Sequence, residues 1–336
     1  MSFDSTASLT STSASTAPDL SDTMSDSIEI FNFVHSERVR LLATPTFSEV
    51  WLCKNNGNFV VTKRTNVSGL LGPQALTQWK EGYWHDRFSY LPGVVPLLAT
   101  YWEDGCEIVV TKFYQDGDLT GQLMQDRVLD KRLALSLLRS MLVITDTMHD
   151  QGLIYGDFSS ENIVVTDVVV EDNVIIGATT GLLDFGLSAP VQKMPYNTGK
   201  LNSMAPETFD RRLVEDGKYA TTSLDMYALG ILFFVSLYGF IPFTHPSSES
   251  MSWNKARDTQ EFKDAMYDAS NKIKFFNKYG SCKLVEWYRK TSGYHSLRIF
   301  EPEVYILLDA LLAIRPSSRI GAKGALVMVD LLLFKA

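Results

Sequence analysis

Short runs of β-branched and aromatic residues dominate the first part of the chain after residue 28, and turn-forming residues separate them. Three such runs, Val50–Cys53, Phe59–Lys63 and Glu107–Lys112, predict β-strands. The first two are separated by Asn55–Asn58, a polar segment with a glycine that is typical of a tight turn. Between the second and third strands, Gln74–Phe88 is a helix candidate. This part of the chain is therefore predicted to form a small sheet with one helix.

From Leu119 onward the pattern becomes mostly helical. In Leu133–Met148 the leucine, methionine and isoleucine side chains recur on one face of a helix. The other elements predicted here are the strands Ile163–Val170 and Asn173–Leu183 and the helices Val304–Ile314 and Ala322–Phe334. A few strands with one helix, followed by a larger helical part, predict an α+β protein with two lobes and a cleft between them.

One apolar run, Met226–Phe243, raises the question of a membrane span. It begins beside Asp225, contains Pro242 and extends over only 18 residues, close to the lower limit for crossing a bilayer. We interpret the run as a helix buried in the protein core, and we expect no membrane insertion.

Residues 1–28 differ from the rest of the chain in composition. They are rich in Ser and Thr, contain aspartates and lack Lys and Arg. This composition predicts a disordered, solvated tail, and a phosphorylatable regulatory tail is the alternative. A secretory signal needs a basic start and an apolar run, and a transit peptide is rich in Arg. We therefore expect an intracellular protein, in the cytoplasm, the nucleus or both.

The overall composition is that of an ordinary globular protein, with 45% hydrophobic and 21% charged residues in a chain of 336. This length suits one large two-lobed domain or two modest ones. A net charge of −8 argues against a protein that binds nucleic acid by neutralising its phosphates. The three cysteines and five histidines are scattered, so neither a disulfide framework nor a zinc site is indicated.

Candidate chemistry lies where the two parts of the chain meet. Asp157 and Asn162 occupy a loop just before one predicted strand, and Asp184 follows the end of the next. Their oxygens suit Mg²⁺, which needs only one or two protein carboxylates when phosphate oxygens are also present. Lys63, on a strand of the first part, supplies a cation for the phosphates. These residues predict a magnesium–triphosphate site for phosphoryl transfer.

Six segments in this order make the sequence resemble a eukaryotic-type protein kinase domain. They are Val60–Lys63, the loop with Asp157 and Asn162, Asp184–Gly186, Ala205–Glu207, Asp225–Gly230 and Arg315–Arg319. A single Asp-Phe-Gly triplet means little alone, but the ordered set is specific. The resemblance covers residues 29–336 and implies a β-rich N-lobe over about 29–113 and a larger helical C-lobe over about 114–336.

The resemblance implies ATP-dependent transfer of the γ-phosphoryl group to a protein hydroxyl, with Mg²⁺. Asp157 is then the catalytic base, and Lys63 anchors the α- and β-phosphates. Asn162 and Asp184 hold Mg²⁺. Glu81, on the predicted helix, is the expected partner of Lys63, although its spacing to the following segment is about one residue off the kinase pattern.

Other positions of the resemblance concern the nucleotide pocket and the C-lobe core. Thr111 falls at the position that guards the back of the adenine pocket, and Tyr114 belongs to the hinge between the lobes. Both positions are equally compatible with plain core or linker residues. Glu207 and Arg319 are expected to form a buried ion pair, and Asp225 is expected to brace the backbone of the catalytic loop.

The segment that replaces the glycine-rich nucleotide loop of kinases contains no glycine. It runs from Ala43 to Val50, and Ala43, Phe47 and Val50 are the expected nucleotide contacts. Glycine lets the backbone approach phosphates closely, and Pro45 also lacks an N–H group. The segment is predicted to keep a strand-turn-strand shape while binding phosphate less well.

The catalytic loop departs from the kinase pattern at two further positions. Gly156 replaces the arginine that usually precedes the catalytic aspartate, which predicts activity independent of phosphorylation of the activation segment. Ser159 stands where a lysine is expected, and Lys200 where a threonine is expected. One hypothesis is that these roles are exchanged, with Lys200 as a catalytic cation and Ser159 bonded to Asp157. The alternative is a solvent-exposed Lys200 on a mobile loop.

Three functions fit these motifs. The first is an active protein kinase, with Ser/Thr specificity favoured over Tyr and with protein substrates that the sequence does not name. The second is a pseudokinase that acts as a nucleotide-binding or protein-interaction scaffold, which has no need of all four candidate catalytic residues. The third is a small-molecule phosphotransferase, because such enzymes share the fold and also place Gly before the catalytic Asp.

Overall fold

The computed structural model of the protein describes residues 33, 35–45, 47–67, 81–191, 200, 202–208, 221–243, 260–291 and 297–335. It consists of a β-rich N-terminal lobe and a larger helical C-terminal lobe, as the sequence predicts. In the described residues the sheet encloses a small hydrophobic core and the helical lobe an extensive one. The predicted tail, residues 1–28, lies outside the described residues.

The N-terminal lobe is built on a five-stranded antiparallel sheet of order β1-β2-β3-β5-β4. Its strands are β1 (Glu37–Ala43), β2 (Ser48–Asn55), β3 (Asn58–Asn66), β4 (Leu97–Glu103) and β5 (Cys106–Lys112). The turn between β2 and β3 has positive φ at Asn56 and Gly57, 46° and 86°, the conformation that Asn-Gly favours in a two-residue hairpin. The three strands predicted in this region are confirmed as β2, β3 and β5.

The hydrophobic pattern does not predict β1 or β4. All seven residues of β1 are exposed, so this strand lacks the apolar alternation of a half-buried strand. In β4 the register shifts between Leu97 and Ala99, which interrupts the alternation.

Helix α1 (Glu81–Phe88) packs against β4 and β5. The Glu107 carboxylate on β5 accepts a hydrogen bond from the backbone N of Gly82 at 2.9 Å, which ties the helix to the sheet. The approach requires glycine, because a Cβ on Gly82 would lie 2.2 Å from the hydroxyl of Thr100. The remainder of the predicted helix, residues 74–80, lies outside the described residues.

Helices form most of the described C-terminal lobe. They are α2 (Leu119–Leu123), α3 (Lys131–Asp150), α4 (Ser223–Tyr238), α5 (Gln260–Thr291, interrupted at Gly280), α6 (Pro302–Leu311) and α7 (Ala322–Lys335). The helices predicted over 133–148, 304–314 and 322–334 are confirmed as α3, α6 and α7, with small differences at their ends. α3 begins earlier than its apolar pattern because the Asp130 side chain caps it by accepting from the backbone N of Arg132.

Helix α4 is the buried core helix predicted from the apolar run at 226–243. Every residue from Leu224 to Tyr238 is buried, including Asp225. The helix ends at Gly239, whose φ of 78° is the left-handed conformation common at helix C-termini. None of the helices described is both long and apolar enough to cross a membrane.

A long hairpin brings two segments of the C-terminal lobe together. The strands of this lobe are β6 (Val128–Leu129), β7 (Leu153–Ile154), β8 (Ile163–Glu171), β9 (Val174–Leu182) and β10 (Ala189–Pro190). β8 and β9 pair antiparallel, so the end of β9 lies beside the start of β8, with Leu182 opposite Ile163. The backbone N of Leu183 donates to Asn162 O at 3.1 Å. The loop before β8 and the segment after β9, which begins Leu183-Asp184, therefore lie side by side.

Candidate active site

Asp225, near the start of α4, holds the backbone of the loop that contains Asp157. Its carboxylate accepts hydrogen bonds from the backbone N of Tyr155 at 2.9 Å and of Gly156 at 2.8 Å. A ring nitrogen of His149 lies 2.8 Å from the same carboxylate. These partners satisfy a buried carboxylate that would otherwise be costly. Asp157 therefore follows directly on two residues whose backbone is held in place.

Asn162 fixes the side chain of Asp157. Its Nδ2 donates to the Asp157 carbonyl oxygen at 2.8 Å and to Asp157 Oδ2 at 2.7 Å. The other carboxylate oxygen, Oδ1, is buried and has no hydrogen-bond partner among the described residues. Burial raises the pKa of Asp157 to about 6, although Lys200 and Asn162 act to lower it. An unpaired carboxylate oxygen with this pKa is suited to accept a proton from a hydroxyl.

Lys63 joins residues from three elements through two ion pairs. Its Nζ lies 2.9 Å from Glu81 Oε1 and 2.8 Å from Asp184 Oδ1. On β3, Lys63 stands opposite Val50 of β2 and Val109 of β5, so sheet strands flank it on both sides. The sheet, helix α1 and the segment after β9 thus meet at one ammonium group.

Burial and ion pairing shift the pKa values of Lys63, Glu81 and Asp184 in opposite directions. Burial lowers the pKa of Lys63, but Glu81 and Asp184 outweigh burial and raise it above its ordinary value. Burial raises the pKa of Glu81 to about 7, against the lowering effect of Lys63. Burial also raises the pKa of Asp184, but Lys63 outweighs it and the net pKa lies below its ordinary value. Lys63 and Asp184 are therefore both charged at neutral pH.

Asp184 has a strained backbone, with a φ of 65° in the left-handed region that residues with a Cβ rarely adopt. Such strain persists where the surroundings impose it, and it clusters at functional sites. Here the next residue, Phe185, is fully buried, with its ring centroid 5.3 Å from that of Tyr155 and 5.1 Å from that of His85. This aromatic packing holds the segment with the Asp184 carboxylate on Lys63.

Lys200 reaches the catalytic loop from a later segment of the chain. Its Nζ donates to Ser159 Oγ at 2.9 Å and lies 2.7 Å from Glu161 Oε2. The hydrogen bond predicted between Ser159 and Asp157 is absent from the described contacts, because the Ser159 hydroxyl faces the ammonium of Lys200 instead. That part of the exchange hypothesis is wrong. The predicted alternative of a solvent-exposed Lys200 also differs from the structure, since the side chain is half-buried and paired.

Glu207 and Arg319 meet in the core of the C-terminal lobe. Arg319 NH1 lies 2.7 Å from Glu207 Oε1 and NH2 lies 2.9 Å from Oε2, so the pair is bidentate and both side chains are buried. NH1 also donates to Ser223 O at the start of α4, and the guanidinium lies 5.0 Å from the ring centroid of Tyr227. The pair therefore ties the segment that follows Lys200 to α4.

Comparison with known sequences decides the family. The sequence model of the protein kinase domain matches residues 36–329, which is most of the chain. The chain belongs to the protein kinase family. Its two-lobed fold is that of a protein kinase domain, and similar proteins are Ser/Thr protein kinases.

Three similar proteins illustrate the distance to known kinases. The kinase domain is 25% identical over 166 residues to ribosomal protein S6 kinase 2 alpha of Xenopus laevis, covering 47% of this chain and 21% of the relative. It is 25% identical over 224 residues to serine/threonine-protein kinase cds1 of Schizosaccharomyces pombe, covering 63% of this chain and 46% of the relative. It is 24% identical over 198 residues to calcium/calmodulin-dependent protein kinase type 1 of Macrobrachium nipponense, covering 58% of this chain and 54% of the relative. The matches therefore span between about a fifth and about half of these relatives.

The residues of the cleft fit the ATP and Mg²⁺ that protein kinases generally use. Asn162 and Asp184 have side-chain oxygens, which are the ligands that Mg²⁺ prefers. The unpaired Asp157 Oδ1 is a buried polar atom that needs a partner. Lys63 adds a protonated amine at the base of the sheet, as phosphate oxygens require.

The lid of this kinase domain keeps its shape without glycine. Ala43 pairs with Val50 at the base of the lid, and the backbone N of Ser48 donates to Pro45 O at 3.1 Å within it. Phe47 O accepts a hydrogen bond from β3, which ties the tip to the sheet. None of the described residues between Ala43 and Val50 has a positive φ. At these described positions no positive φ calls for glycine, although glycine would still allow closer approach to phosphates.

Thr111 and Tyr114 lie at the edge of the cleft. Thr111 is buried in β5 opposite Val61 of β3. Tyr114 follows the end of β5, and a Cβ placed on Gly181 of β9 would lie 3.1 Å from its hydroxyl. The Tyr114 ring therefore crosses from the sheet to the C-terminal lobe.

The sequence motifs do not identify Tyr155 as a site residue. Its hydroxyl donates to Leu183 O at 2.5 Å, and its own carbonyl accepts from Ser188 Oγ at 3.2 Å. Tyr155 thus links the catalytic loop to the residues on both sides of Phe185. The only signal in the sequence is that a tyrosine stands two positions before Asp157. When a tyrosine is buried, its hydroxyl usually finds a hydrogen-bond partner.

His85 is a second residue that the motifs do not identify. It is buried on α1, one helical turn after Glu81, and its Nε2 donates to Val95 O at 2.8 Å. Burial lowers the pKa of His85, so the ring is neutral at neutral pH. In the sequence, only its place on the inner face of the predicted helix hints at this role.

The structure brings most of the predicted site residues together. The residues of the cleft are Lys63, Glu81, Asp157, Asn162 and Asp184, with Lys200 beside them. The predicted nucleotide contacts lie in the N-terminal lobe or directly after its last strand: Ala43, Phe47, Val50, Thr111 and Tyr114. Glu207, Arg319 and Asp225 lie deeper in the C-terminal lobe, away from the cleft, and support the loops instead.

Proposed function

We propose that this kinase domain is an active Ser/Thr protein kinase that transfers the γ-phosphoryl group of ATP to a protein hydroxyl. One observation supports this proposal above the others. Lys63 joins the buried Glu81 and the partly exposed Asp184 in one charged cluster, and Asp184 lies close enough to Asp157 to raise the pKa of Asp157. Buried charges are expensive, and perturbed titratable groups that converge in a cleft mark candidate functional sites.

Each residue of the cluster has a part in the proposed reaction. Asp157, through its unpaired Oδ1, orients the substrate hydroxyl and accepts its proton. Asn162 and Asp184 supply oxygen ligands for Mg²⁺, and Lys63 holds the α- and β-phosphates. Mg²⁺, when bound, neutralises charge on the phosphates. The remaining work is positioning and charge stabilisation, which the fixed loops provide.

The names of similar proteins support Ser/Thr specificity. One relative is named a serine/threonine-protein kinase, and none of the three compared above is named a tyrosine kinase. The proposed substrates are therefore Ser or Thr residues of other proteins. Because the reaction consumes ATP, we place it inside the cell, in the cytoplasm, the nucleus or both.

The lid favours a second candidate, a pseudokinase scaffold that binds nucleotide or protein without transferring phosphate. The segment from Ala43 to Val50 has no glycine, and Pro45 offers no N–H to a phosphate. The third candidate, a small-molecule phosphotransferase, loses support from the Glu207–Arg319 ion pair and from the buried helix α4, which are features of the protein kinase resemblance.

Transfer from labelled ATP to a mixed protein substrate tests the proposal. Wild type is compared with Asp157→Asn, which removes the base, and with Asp150→Asn, which alters an exposed aspartate paired with Lys323. We expect Asp157→Asn to lose about a thousandfold in rate and Asp150→Asn to match wild type. Acid hydrolysis of the product then shows whether Ser, Thr or Tyr is labelled.

Two results would count against an active kinase. Equal labelling by wild type and Asp157→Asn would remove the assigned base. Nucleotide binding by wild type with no labelling of any substrate would favour the scaffold.

A further inference from the structure

Lys200 brings a second ammonium group to the candidate active site, on the catalytic loop. Its side chain is 34% exposed, and its Nζ contacts Ser159 Oγ at 2.9 Å and Glu161 Oε2 at 2.7 Å. Both contacts lie on the loop between Asp157 and Asn162. Lys200 is therefore attached to the catalytic loop itself and not to the surface of the lobe.

The charge of Lys200 acts on the catalytic centre. It lowers the pKa of Asp157 and also contributes to the low pKa of Asp184. Lys63, by contrast, is shared between Glu81 and Asp184. The loop that carries the proposed base thus has a cation of its own, whose carboxylate partner is exposed.

A cation beside the acceptor hydroxyl favours phosphoryl transfer. Negative charge spreads over the equatorial oxygens of the phosphoryl group as it moves from the nucleotide to the acceptor. A cation fixed beside the acceptor stabilises that charge without having to reorganise during the step. In this chain the residue two positions after Asp157 is Ser159, which carries no charge and cannot provide this stabilisation.

We infer that the Lys200 ammonium contacts the phosphoryl group during its transfer, and that Ser159 and Glu161 hold the ammonium in place. This inference rests on the proposed kinase function. The Ser159 hydroxyl serves to position Lys200 rather than Asp157. Glu161 is exposed, and an exposed ion pair adds little stability, so Lys200 can exchange the Glu161 carboxylate for a phosphate oxygen at little cost.

The transfer step balances with Lys200 protonated throughout. A bond forms between the substrate hydroxyl oxygen and the γ-phosphorus, and the bond from the γ-phosphorus to the oxygen bridging the β-phosphate breaks. The hydroxyl proton passes to Asp157 and then to solvent, and ADP leaves. Lys200 donates hydrogen bonds and loses no proton.

The first test compares turnover in variants of matched lysines. Lys200→Met removes the cation, and Lys200→Arg keeps the charge. Lys131→Met is the control, because Lys131 is 25% exposed and lies 2.6 Å from Glu301 in a comparable ion pair outside the cleft. We expect Lys200→Met to lower kcat about 100-fold or more, with KM for the protein substrate nearly unchanged. Lys200→Arg should retain more activity than Lys200→Met, and Lys131→Met should match wild type.

A second test exchanges the residues on the two sides of the hydrogen bond between Lys200 and Ser159. It distinguishes a catalytic role of the ammonium group from a purely structural role of Lys200. The double variant Ser159→Lys with Lys200→Thr places the ammonium on the other partner of the 2.9 Å contact. We expect its kcat to exceed that of Lys200→Met at least tenfold. A double variant no better than Lys200→Met, with kcat of Lys200→Met itself close to wild type, would overturn the inference.

Nucleotide affinity gives a readout that does not depend on turnover. Calorimetric titrations with Mg²⁺ compare ATP with ADP, which lacks the γ-phosphate. We expect Lys200→Met to weaken ATP binding at least about tenfold and to leave ADP binding unchanged. Equal losses for both nucleotides, or none, would contradict the inference.

The two readouts separate this inference from the proposed function. If Asp157→Asn abolishes transfer while Lys200→Met alters neither kcat nor the ATP-to-ADP preference, the kinase function stands and the inference is wrong. If wild type transfers no phosphate, the proposed function is wrong, and the ATP-to-ADP preference alone decides whether Lys200 meets the γ-phosphate.

Discussion

Two buried charged residues of this domain, Asp225 and Arg319, are each held by several contacts. The Asp225 carboxylate accepts from two backbone N–H groups, and Arg319 reaches Glu207 with both terminal nitrogens while also donating to the Ala313 carbonyl. A buried ion pair adds little net stability compared with a well-packed apolar pair, but removing one partner leaves an uncompensated charge. The cost of substitution at these residues therefore depends on what is left behind.

We expect Arg319→Met to lower the free energy of unfolding by about 3–5 kcal/mol, because it leaves the Glu207 carboxylate buried without its cation. Urea unfolding of the purified domain measures the change. Arg315→Met alters an exposed arginine nearby and should change stability by less than about 0.5 kcal/mol. The double variant Arg319→Met with Glu207→Leu should be more stable than Arg319→Met, and a further loss in the double variant would contradict this account.

At the scale of elements, the sequence predicts well those elements that have a strong local signal. β2, β3 and β5 are short runs with β-branched or aromatic residues between turns, α3 has its apolar residues on one face, and α4 is apolar and buried along its length. β1 is exposed along its length, and a bulge interrupts β4, so pairing with neighbouring strands rather than pattern makes them strands.

The sequence predicts the motif residues of the site, but it does not predict the residues that hold them in place. Lys63, Asp157 and Asp184 carry chemistry that restricts the residue type, so the sequence displays them directly. Tyr155 and His85 act through backbone carbonyls that are distant in sequence, Leu183 O and Val95 O. No local pattern encodes such partners, because they depend on how the elements pack.

We expect restoring glycine in the lid to improve nucleotide handling. Pro45→Gly with Ser48→Gly restores an N–H group and frees the backbone to approach the phosphates, so KM for ATP should fall or kcat should rise. Steady-state kinetics against ATP concentration measures both. Ser48→Ala is the control, because Ser48 Oγ lies 3.0 Å from Thr65 Oγ1 and its loss alone would weaken the lid. Kinetics identical to wild type would mean that the lid does not limit the reaction.

Activity is expected to be independent of phosphorylation of the activation segment. Gly156 leaves the catalytic loop without the guanidinium that would pair with a phosphate there, and its φ of 87° is a conformation that favours glycine. Phosphatase treatment and Thr198→Ala should each leave the rate within about twofold of wild type. A rate lost on dephosphorylation and regained on rephosphorylation would contradict the expectation. The sequence predicts that three hydroxyl residues of this segment, Ser188, Tyr196 and Thr198, are replaceable. Tyr196 and Thr198 lie outside the described residues, and Ser188 is buried and donates to Tyr155 O, so Ser188 is not used in this test.

At the scale of the whole molecule, the two lobes are joined below helix α1 as well as through Lys63. The backbone N of Val95 donates to Leu182 O at 2.9 Å, and the backbone N of Leu182 donates to Gly93 O at 2.7 Å. The segment after α1 is thus paired with β9, next to Asp184. His85 bonds Val95 O at this junction.

Stability is expected to fall in mild acid because of His85. Burial lowers its pKa below the ordinary value of 6.5, an effect that Lys63 adds to and that Val95 O, Asp184 and Asp86 oppose. The unfolded chain therefore binds a proton more readily than the folded one, so this contribution to stability is full above pH 6.5 and is lost as the pH falls through the lower folded pKa. Urea unfolding at pH 7.5 and 5.5 measures the loss.

His85→Leu should reduce the difference in stability between the two pH values, whatever its effect on stability at pH 7.5. His35→Gln, which alters an exposed histidine, should preserve the difference. An unchanged difference in His85→Leu would assign the acid sensitivity to other groups.

The β8–β9 hairpin has a consequence for how this domain tolerates insertions and deletions. Its base fixes Asn162 and Asp184 side by side, whereas its far end turns through Asp172 and Asn173, with φ of 46° and 62°, and exposes Val169. A single residue gained in one strand turns each following side chain to the opposite face unless a bulge absorbs it, and the pairing of β8 with β9 already shifts register on both sides of Val169. On the other strand, β9 is also paired with β6 at Val174 and Ile175. A change of length in β8 near Val169 therefore leaves the two candidate magnesium ligands at the base side by side, whereas a change at Val174 or Ile175 breaks the pairing with β6.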